Sequence, residues 1–376
     1  MCETECLRSS RKIFVVCFPP LDGAPSEDSL VTAPVTTPPV PHLDPFVREL
    51  LDDPVFHNSS ALAKNNATHR PPGELLRILG KIDSRPWSFN KLAVQQIRRE
   101  LEESTHTREL LVLTQQNTQP NTSIGFAHRN NKFYIPESLH KYQPQEMPFA
   151  NASYKECSIV GNSGILVNSG CGQRIDQAEF VIRFNFPPVL TKFMKDSGIR
   201  THLFTCNADI VNTKFGHLKK SRWVSTFKNY VSVYKYYRSS VLTFPFMTPG
   251  KSKKILLDLQ KILSDRNVPN KVFLNNPEHR RNMFDFWARR GLEERSLTSG
   301  FYMISAALSF CERVRVFGFW PFDRDRRASP LQYHHYGGNL RDKGADNPWH
   351  RMDREFYQLV QLHARGIIEL VTKPCS

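Results

Sequence analysis

This chain of 376 residues has no apolar run near its start that approaches the roughly 20 residues a membrane-spanning helix needs. Ile13 to Leu21 covers nine residues and contains Pro19-Pro20, so neither a signal peptide nor an anchor is legible there. Its eight cysteines include no C-x-x-C pair to suggest zinc or thioredoxin-type redox chemistry, which leaves disulfides as the better reading. Zinc-finger, homeodomain and RNA-recognition spacings are lacking, and so is a nucleophile motif. The basic pairs Lys219-Lys220, Lys253-Lys254, Arg280-Arg281, Arg289-Arg290 and Arg326-Arg327 are scattered rather than gathered on one arm or helix face, so most read as solvated charge and nucleic acid is not an expected partner. Acidic residues are the minority, 36 against 51 basic, and the net charge of +15 favours anionic partners such as sugar nucleotides, acidic glycans or a membrane surface.

Organisation follows from composition. Eight prolines between Pro19 and Pro45, among Thr, Ser, Asp and Val, support neither a helix nor a packed sheet. Residues 1–70 therefore read as a disordered stem and 71–376 as the folded domain. Four N-x-Ser/Thr acceptor patterns, at Asn58, Asn66, Asn121 and Asn151, point to a secreted or luminal chain. Apolar spacing predicts helices over Glu74–Ile82, Phe89–Leu101, Lys253–Leu263, Glu278–Arg290 and Gly300–Cys311. Candidate strands interleave with the later ones, at Cys157–Val160, Phe180–Arg183, His202–Cys206, Val241–Phe244, Val272–Leu274 and Val314–Phe317. Alternation of this kind predicts an α/β fold with a Rossmann-like sheet and flanking helices.

Two blocks carry the chemistry. In the first, the apolar run Cys157–Val160 meets Gly161-Asn162-Ser163-Gly164, a strand passing into a turn whose N–H groups can approach an anion. It continues to Arg183-Phe-Asn185-Phe-Pro-Pro188. In the second, Thr298-Ser299-Gly300 stands ahead of an apolar helix, a place for a phosphate or for ordinary capping. Phe317-Gly-Phe-Trp320-Pro-Phe322 follows. Tyr333-His334-His335-Tyr336 and His350-Arg-Met-Asp-Arg-Glu355 then supply imidazoles suited to taking a proton near neutrality, or to structural hydrogen bonds. Asp323-Arg-Asp325 has the form of a metal-binding D-x-D, but its arginine-rich setting reads better as a solvated loop.

Taken in order, V-G-N-S-G, R-x-N-x-P-P, the S-G helix start, G-F-W-P-F, the His-rich segment and H-x-x-x-x-E resemble the large, small, third and very small motifs of the animal α-2,8-sialyltransferase family, over about Trp87 to Cys375. The resemblance implies a variant GT-A type glycosyltransferase fold and metal-independent, inverting transfer of sialic acid. The donor would be CMP-sialic acid and the acceptor the 8-hydroxyl of a sialic acid ending a glycolipid or glycoprotein glycan, with no cofactor. His350 would be the general base and Glu355 a supporting group. Asn162, Asn185 and Asn207 would bind the donor, with Thr298, Ser299, Gly300 and Trp320 completing the nucleotide pocket. His334 would contact the phosphate, with His335 as the alternative. The family also pairs Cys157 with Cys311 and Cys171 with Cys375, and places its members in the Golgi membrane with a luminal catalytic domain.

Four positions depart from the family pattern. Phe184 replaces a cysteine, Thr298-Ser-Gly300 inverts Ser-Thr-Gly, Asn207-Ala-Asp209 replaces Asn-Pro-Ser, and His334-His-Tyr-Gly337 replaces His-Tyr-Tyr-Asp. A drifted third motif makes a catalytically weak member acting as a sialoglycan-binding module the alternative function. An unrelated Rossmann-type nucleotide-binding protein would rest on the first glycine turn alone.

Overall fold

The computed structural model describes residues 44–57, 70–126, 129–205, 241–244, 270–293, 296–337 and 350–375. Asn58, Asn66, Asn207 and the helix expected over Lys253–Leu263 lie outside them. At the centre is a sheet built from β3 (Tyr154–Val160), β4 (Phe180–Phe184), β5 (Leu203–Thr205), β6 (Val241–Phe244), β7 (Lys271–Leu274), β8 (Cys311–Phe317) and β9 (Glu369–Val371). Its order is β7-β6-β5-β4-β3-β8-β9, and every neighbouring pair runs parallel. A parallel sheet is covered on both faces, so its strands are near-continuous apolar runs. That is why Cys157-Ser-Ile-Val160 and Phe180-Val-Ile-Arg-Phe184 are buried throughout. A separate antiparallel pair is formed by β1 (Thr122–Phe126) and β2 (Arg129–Ile135).

Helices cover the sheet. Ser299–Phe310 is apolar on every side, as a helix enclosed by the core must be, and only Ser299 in it is not buried. Arg98 of the helix Lys91–Thr105 holds its far end, donating to the carbonyls of Leu308 and Cys311, both at 2.7 Å. Lys91–Thr105 begins where Asn90 Oδ1 accepts from Ala93 N, and Pro277–Ala288 where Asn276 Oδ1 accepts from Glu278 N with Pro277 at the first position. Helices Gly73–Asp83 and Met352–Ala364 complete the layer that bears on the site. The core also reaches N-terminal of residue 71. Helix Pro45–Leu51, capped by Asp44, already places Leu50 in the core, because a proline at the first helical position is preorganised rather than disruptive.

Both cystines implied by the resemblance are present, Cys157–Cys311 and Cys171–Cys375. Asn121 and Asn151 sit exposed at turns, where a glycan acceptor has to be. Among the described residues no helix is long and apolar enough to cross a membrane.

What matters most for the site is the chain path. From β3 the strands run outward in sequence to β7, and the chain then returns to lay β8 on the other side of β3. The direction of winding therefore reverses between β3 and β8, and in open parallel sheets the ligand crevice forms at the carboxyl ends of strands beside such a reversal. The two ends meet closely there. Gly161 N donates to Phe317 O at 2.8 Å and Ser163 N to Gly318 O at 3.1 Å. A Cβ on Gly161 would stand 2.4 Å from Gly318 O, a backbone atom with little freedom to move. Gly161→Ala is accordingly expected to cost about 1–3 kcal/mol, as overpacking does, read by urea unfolding. Loss of less than a few tenths would show that the strand ends separate freely.

Candidate functional site

Four polar segments gather at this end of the sheet, three of them following strands and one preceding the helix Ser299–Phe310. After β3, Asn162 Nδ2 donates to Phe184 O at 2.8 Å, which ties the first loop to the exit of β4. Its Oδ1 is buried and finds no partner among the described residues. A buried acceptor left without a donor is costly, so this atom fits a ligand N–H or O–H. Ser163 Oγ donates to Trp320 O at 2.9 Å and so joins the turn to the exit of β8.

After β4, Asn185 and Phe186 both hold left-handed backbone, φ 59° and 50°, and Asn185 N donates to Thr205 O at 2.6 Å. Two consecutive non-glycine residues in this region store strain of the kind that gathers at functional sites. Arg183 is a buried strut. Its guanidinium donates to the carbonyls of Arg200 and Ser197 and to Thr201 Oγ1, and it lies 3.8 Å from Asp176. Thr205 Oγ1, at the end of β5, is a second buried atom without a partner among the described residues.

The third block crosses above the first turn. His335 N donates to Asn162 O at 2.8 Å, and a Cβ on Gly164 would stand 2.1 Å from Gln332 O. His335 is buried, its Nδ1 3.4 Å from Asn162 O and its ring edge-on to Phe193. Burial above all pushes its pKa down to about 4, so it is neutral. His334 is half-buried between the rings of Tyr333 and Tyr336. Both hold the loops together, His334 through its backbone bridge to Ser163 and His335 through Asn162.

The fourth loop precedes the helix Ser299–Phe310. Thr298 caps that helix, its Oγ1 accepting from Phe301 N at 3.1 Å. Thr298 in turn donates its N–H and its hydroxyl to the two oxygens of Glu355, at 2.6 and 2.5 Å. The N–H groups of Ser299 and Gly300 have no carbonyl four residues back within the helix and sit at its positive end, so they suit an anion. Gly300 lies against the ring of Phe319, 2.5 Å from where its Cβ would be, and this packs the helix start on the exit of β8. Trp320 differs from its expected place lining a nucleotide pocket. Its ring packs in the core against Phe322 and Phe356, and its N–H is taken by Arg324 O at 2.7 Å.

His350 precedes the helix Met352–Ala364 and Glu355 lies in its first turn, so the two reach the same loop two residues apart. His350 Nδ1 is 2.9 Å from Ser296 O, and because a carbonyl only accepts, Nδ1 carries the proton and Nε2 the lone pair. Burial lowers the pKa of His350, the bond to Ser296 opposes this, and the Arg280 guanidinium adds to the lowering. Asp325 Oδ1 accepts from Arg327 N and Ser329 N, both at 2.8 Å, which makes it a turn cap. Among the described residues no group of three His, Cys, Asp or Glu is placed to hold a metal ion.

Sequence reasoning missed Ser296, Ser163, Thr205 and Arg280. Ser296 works here through its carbonyl, which has no side-chain signature. Arg280 was hidden in a basic pair. Its partner Arg281 is exposed beside Glu278 as expected of solvated charge, whereas Arg280 is half-buried with Nη2 donating to Ser296 Oγ.

Glu355 has a testable structural part. Glu355→Ala strips both acceptors from a buried Thr298 contact, and about 1.5–3 kcal/mol of stability is expected to go with it. Glu355→Gln keeps an oxygen for the Thr298 N–H and is expected to lose less. Thermal unfolding of the two variants checks this, and equal losses would show that Thr298 does not need the carboxylate.

A parallel α/β sheet with its polar loops converging at a winding reversal defines the class. Within it, a family model described as glycosyltransferase family 29 (sialyltransferase) matches residues 103–367. An α-N-acetylneuraminide α-2,8-sialyltransferase of Bos taurus is 33% identical over 291 residues, 77% of this chain and 79% of that one. Human α-2,8-sialyltransferase 8E is 30% identical over 291 residues, 77% of this chain and 75% of that one. A mammalian sialyltransferase solved with Gal-β-1-3GalNAc-ortho-nitrophenol aligns at a TM-score of 0.47 and 17% identity, over 73% of this chain and 94% of that chain. The chain belongs to glycosyltransferase family 29, the sialyltransferases, and is a glycosyltransferase.

Proposed function

We propose that this chain transfers sialic acid from CMP-sialic acid to the 8-hydroxyl of a sialic acid ending a glycolipid or glycoprotein glycan, with inversion and with His350 as general base. The observation that carries the reading is the His350–Ser296 bond. The Ser296 carbonyl accepts from Nδ1–H and so fixes the tautomer of the neutral imidazole, which burial favours, with its lone pair on Nε2, the state a base needs before it acts.

In the proposed reaction the acceptor O8 attacks C2 of the donor sialic acid from the face opposite the phosphate. The O8–H proton passes to His350 Nε2, a C2–O8 bond forms, the C2–O bond to phosphate breaks, and CMP leaves with the electron pair. No covalent enzyme intermediate is required. The growing phosphate charge is met by the N–H groups at Ser299 and Gly300 and by His334, so the step is written without a metal ion. Asn162 Oδ1 and Asn185 recognise the donor, and Asn207 is assigned the same role. Glu355 acts through Thr298, and Trp320 supports the pocket from beneath. In this reading residues 71–376 form the catalytic domain, with the helix Pro45–Leu51 packed on it at the end of a stem, and the chain works in the Golgi lumen against a membrane.

Transfer from CMP-sialic acid to matched sialylated and desialylated glycolipids and glycoproteins, in EDTA, tests the reading. Product on sialylated acceptors alone, with an α-2,8 linkage, supports it. Folded, CMP-binding protein that transfers to none of them would favour the sialoglycan-binding module instead.

A further inference from the structure

Among the charges around this site, Arg280 stands out by its place. It sits on the helix Pro277–Ala288, whose neighbouring residue His279 is buried and bonded to Tyr302 and Thr107. That anchors the backbone on two other helices. The Arg280 side chain is half-buried and its Nη2 donates to Ser296 Oγ, while the carbonyl of the same Ser296 holds His350 Nδ1. One residue thus fixes a guanidinium and an imidazole on either side of itself, and the charge is close enough to act on His350.

We propose that Arg280 recognises the carboxylate of the acceptor sialic acid and so selects sialylated over neutral acceptors. The inference rests on the function proposed above. A sialic acid carries its carboxylate and its 8-hydroxyl on one sugar, so an enzyme that deprotonates that hydroxyl meets the carboxylate within the same subsite. Guanidinium is the side chain that matches a carboxylate two bonds at a time, and its five N–H donors let it serve Ser296 and a carboxylate together. Partial burial strengthens such a pair relative to one on the open surface. A galactose-terminated acceptor offers no anion there and forgoes that pair. Discrimination then comes from attraction to the charged acceptor.

The test crosses enzyme and acceptor changes. Wild type, Arg280→Gln and Arg280→Lys are each given an α-sialoside acceptor and the same acceptor with its carboxylate converted to the methyl amide. The readouts are kcat and KM for transfer, affinity for each acceptor in the presence of CMP, and CMP affinity alone. Wild type is expected to prefer the acid by about 10- to 100-fold, mostly in KM and in affinity. Arg280→Gln is expected to prefer it by less than about threefold, and Arg280→Lys to fall between, with CMP affinity unchanged in both. Should Arg280→Gln fail to fold, Arg280→Lys still carries the comparison. A full preference retained by folded variants, or equal losses on acid and amide, would overturn the proposal, since a residue that only props Ser296 cannot tell the acceptors apart. The affinity arm reads Arg280 without turnover, so absence of transfer by wild type would count against the proposed function and not against this contact.

Discussion

His350→Ala is expected to lower the transfer rate by about two to four orders of magnitude with CMP affinity and melting temperature little changed, the range that one positioned base contributes. Its imidazole lies before a helix rather than within the core, and its Nδ1 contact is to a backbone carbonyl that water can replace. The cost is therefore chemical more than structural. pH supplies a second readout. Burial, then the Arg280 charge, hold the His350 pKa below its ordinary 6.5, with the Ser296 bond opposing them. The base form is the neutral one, present above the pKa, so a lowered pKa keeps it populated into mild acid. The midpoint of the acid limb of transfer is expected below pH 6.5, and Arg280→Gln is expected to move that limb upward. An alanine variant within tenfold of wild type, or an acid limb centred above 6.5, would remove His350 from the role.

The largest stability effect is expected at the Cys157–Cys311 cystine. It closes a loop with a sequence separation of 154, for which the chain-entropy model gives about 5 kcal/mol, reduced by any structure left in the unfolded chain. Both cysteines are fully buried, and they fasten the central strand β3 to the residue where the helix Ser299–Phe310 turns into β8. The Cys157→Ser, Cys311→Ser double variant is expected to lose about 4–5 kcal/mol in urea unfolding and to bind CMP poorly. The Cys171→Ser, Cys375→Ser variant opens a longer loop, with a separation of 204, yet it is expected to lose less, because Cys375 is half-buried at the chain end beside a small cluster rather than in the main core. Equal losses, or a loss under about 1 kcal/mol at Cys157, would place the stability of the sheet in its packing alone.

Much of this fold is legible in the sequence because burial on both faces leaves a plain apolar signature. Phe180–Arg183 became Phe180–Phe184, Val272–Leu274 became Lys271–Leu274, and Val314–Phe317 gained three residues back to Cys311. The helices expected over Glu74–Ile82, Phe89–Leu101, Glu278–Arg290 and Gly300–Cys311 are present with ends shifted by a few residues, as caps such as Asn90 and Asn276 dictate. Other elements hid for physical reasons. The pair β1 and β2 is rich in Asn, Thr and Ser with little alternation, and β9 is three residues long. The helix Met352–Ala364 carries Phe356, Leu359, Val360 and His363 at helical spacing, but the His350 and Glu355 motif overlies its start. At the site, side chains that work through their own atoms were legible, as with Thr298. Residues that work through backbone or through burial, Ser296 and Arg280, were not. Trp320 shows the limit of a motif match, which marks a residue as important without saying which way its ring faces.

The strand order also sets a timetable. Beside β3, at the middle of the sheet, lies β8, made only when synthesis has passed residue 317, and His350, Glu355 and Cys375 follow later still. A growing chain can therefore lay β4 and β5 against β3 early, yet it must carry the other edge of β3 unpaired for some 150 residues. The groups assigned to the proposed reaction are consequently the last to arrive: when Cys311 has just been made, the turn after β3 is already present and His350 is still to come.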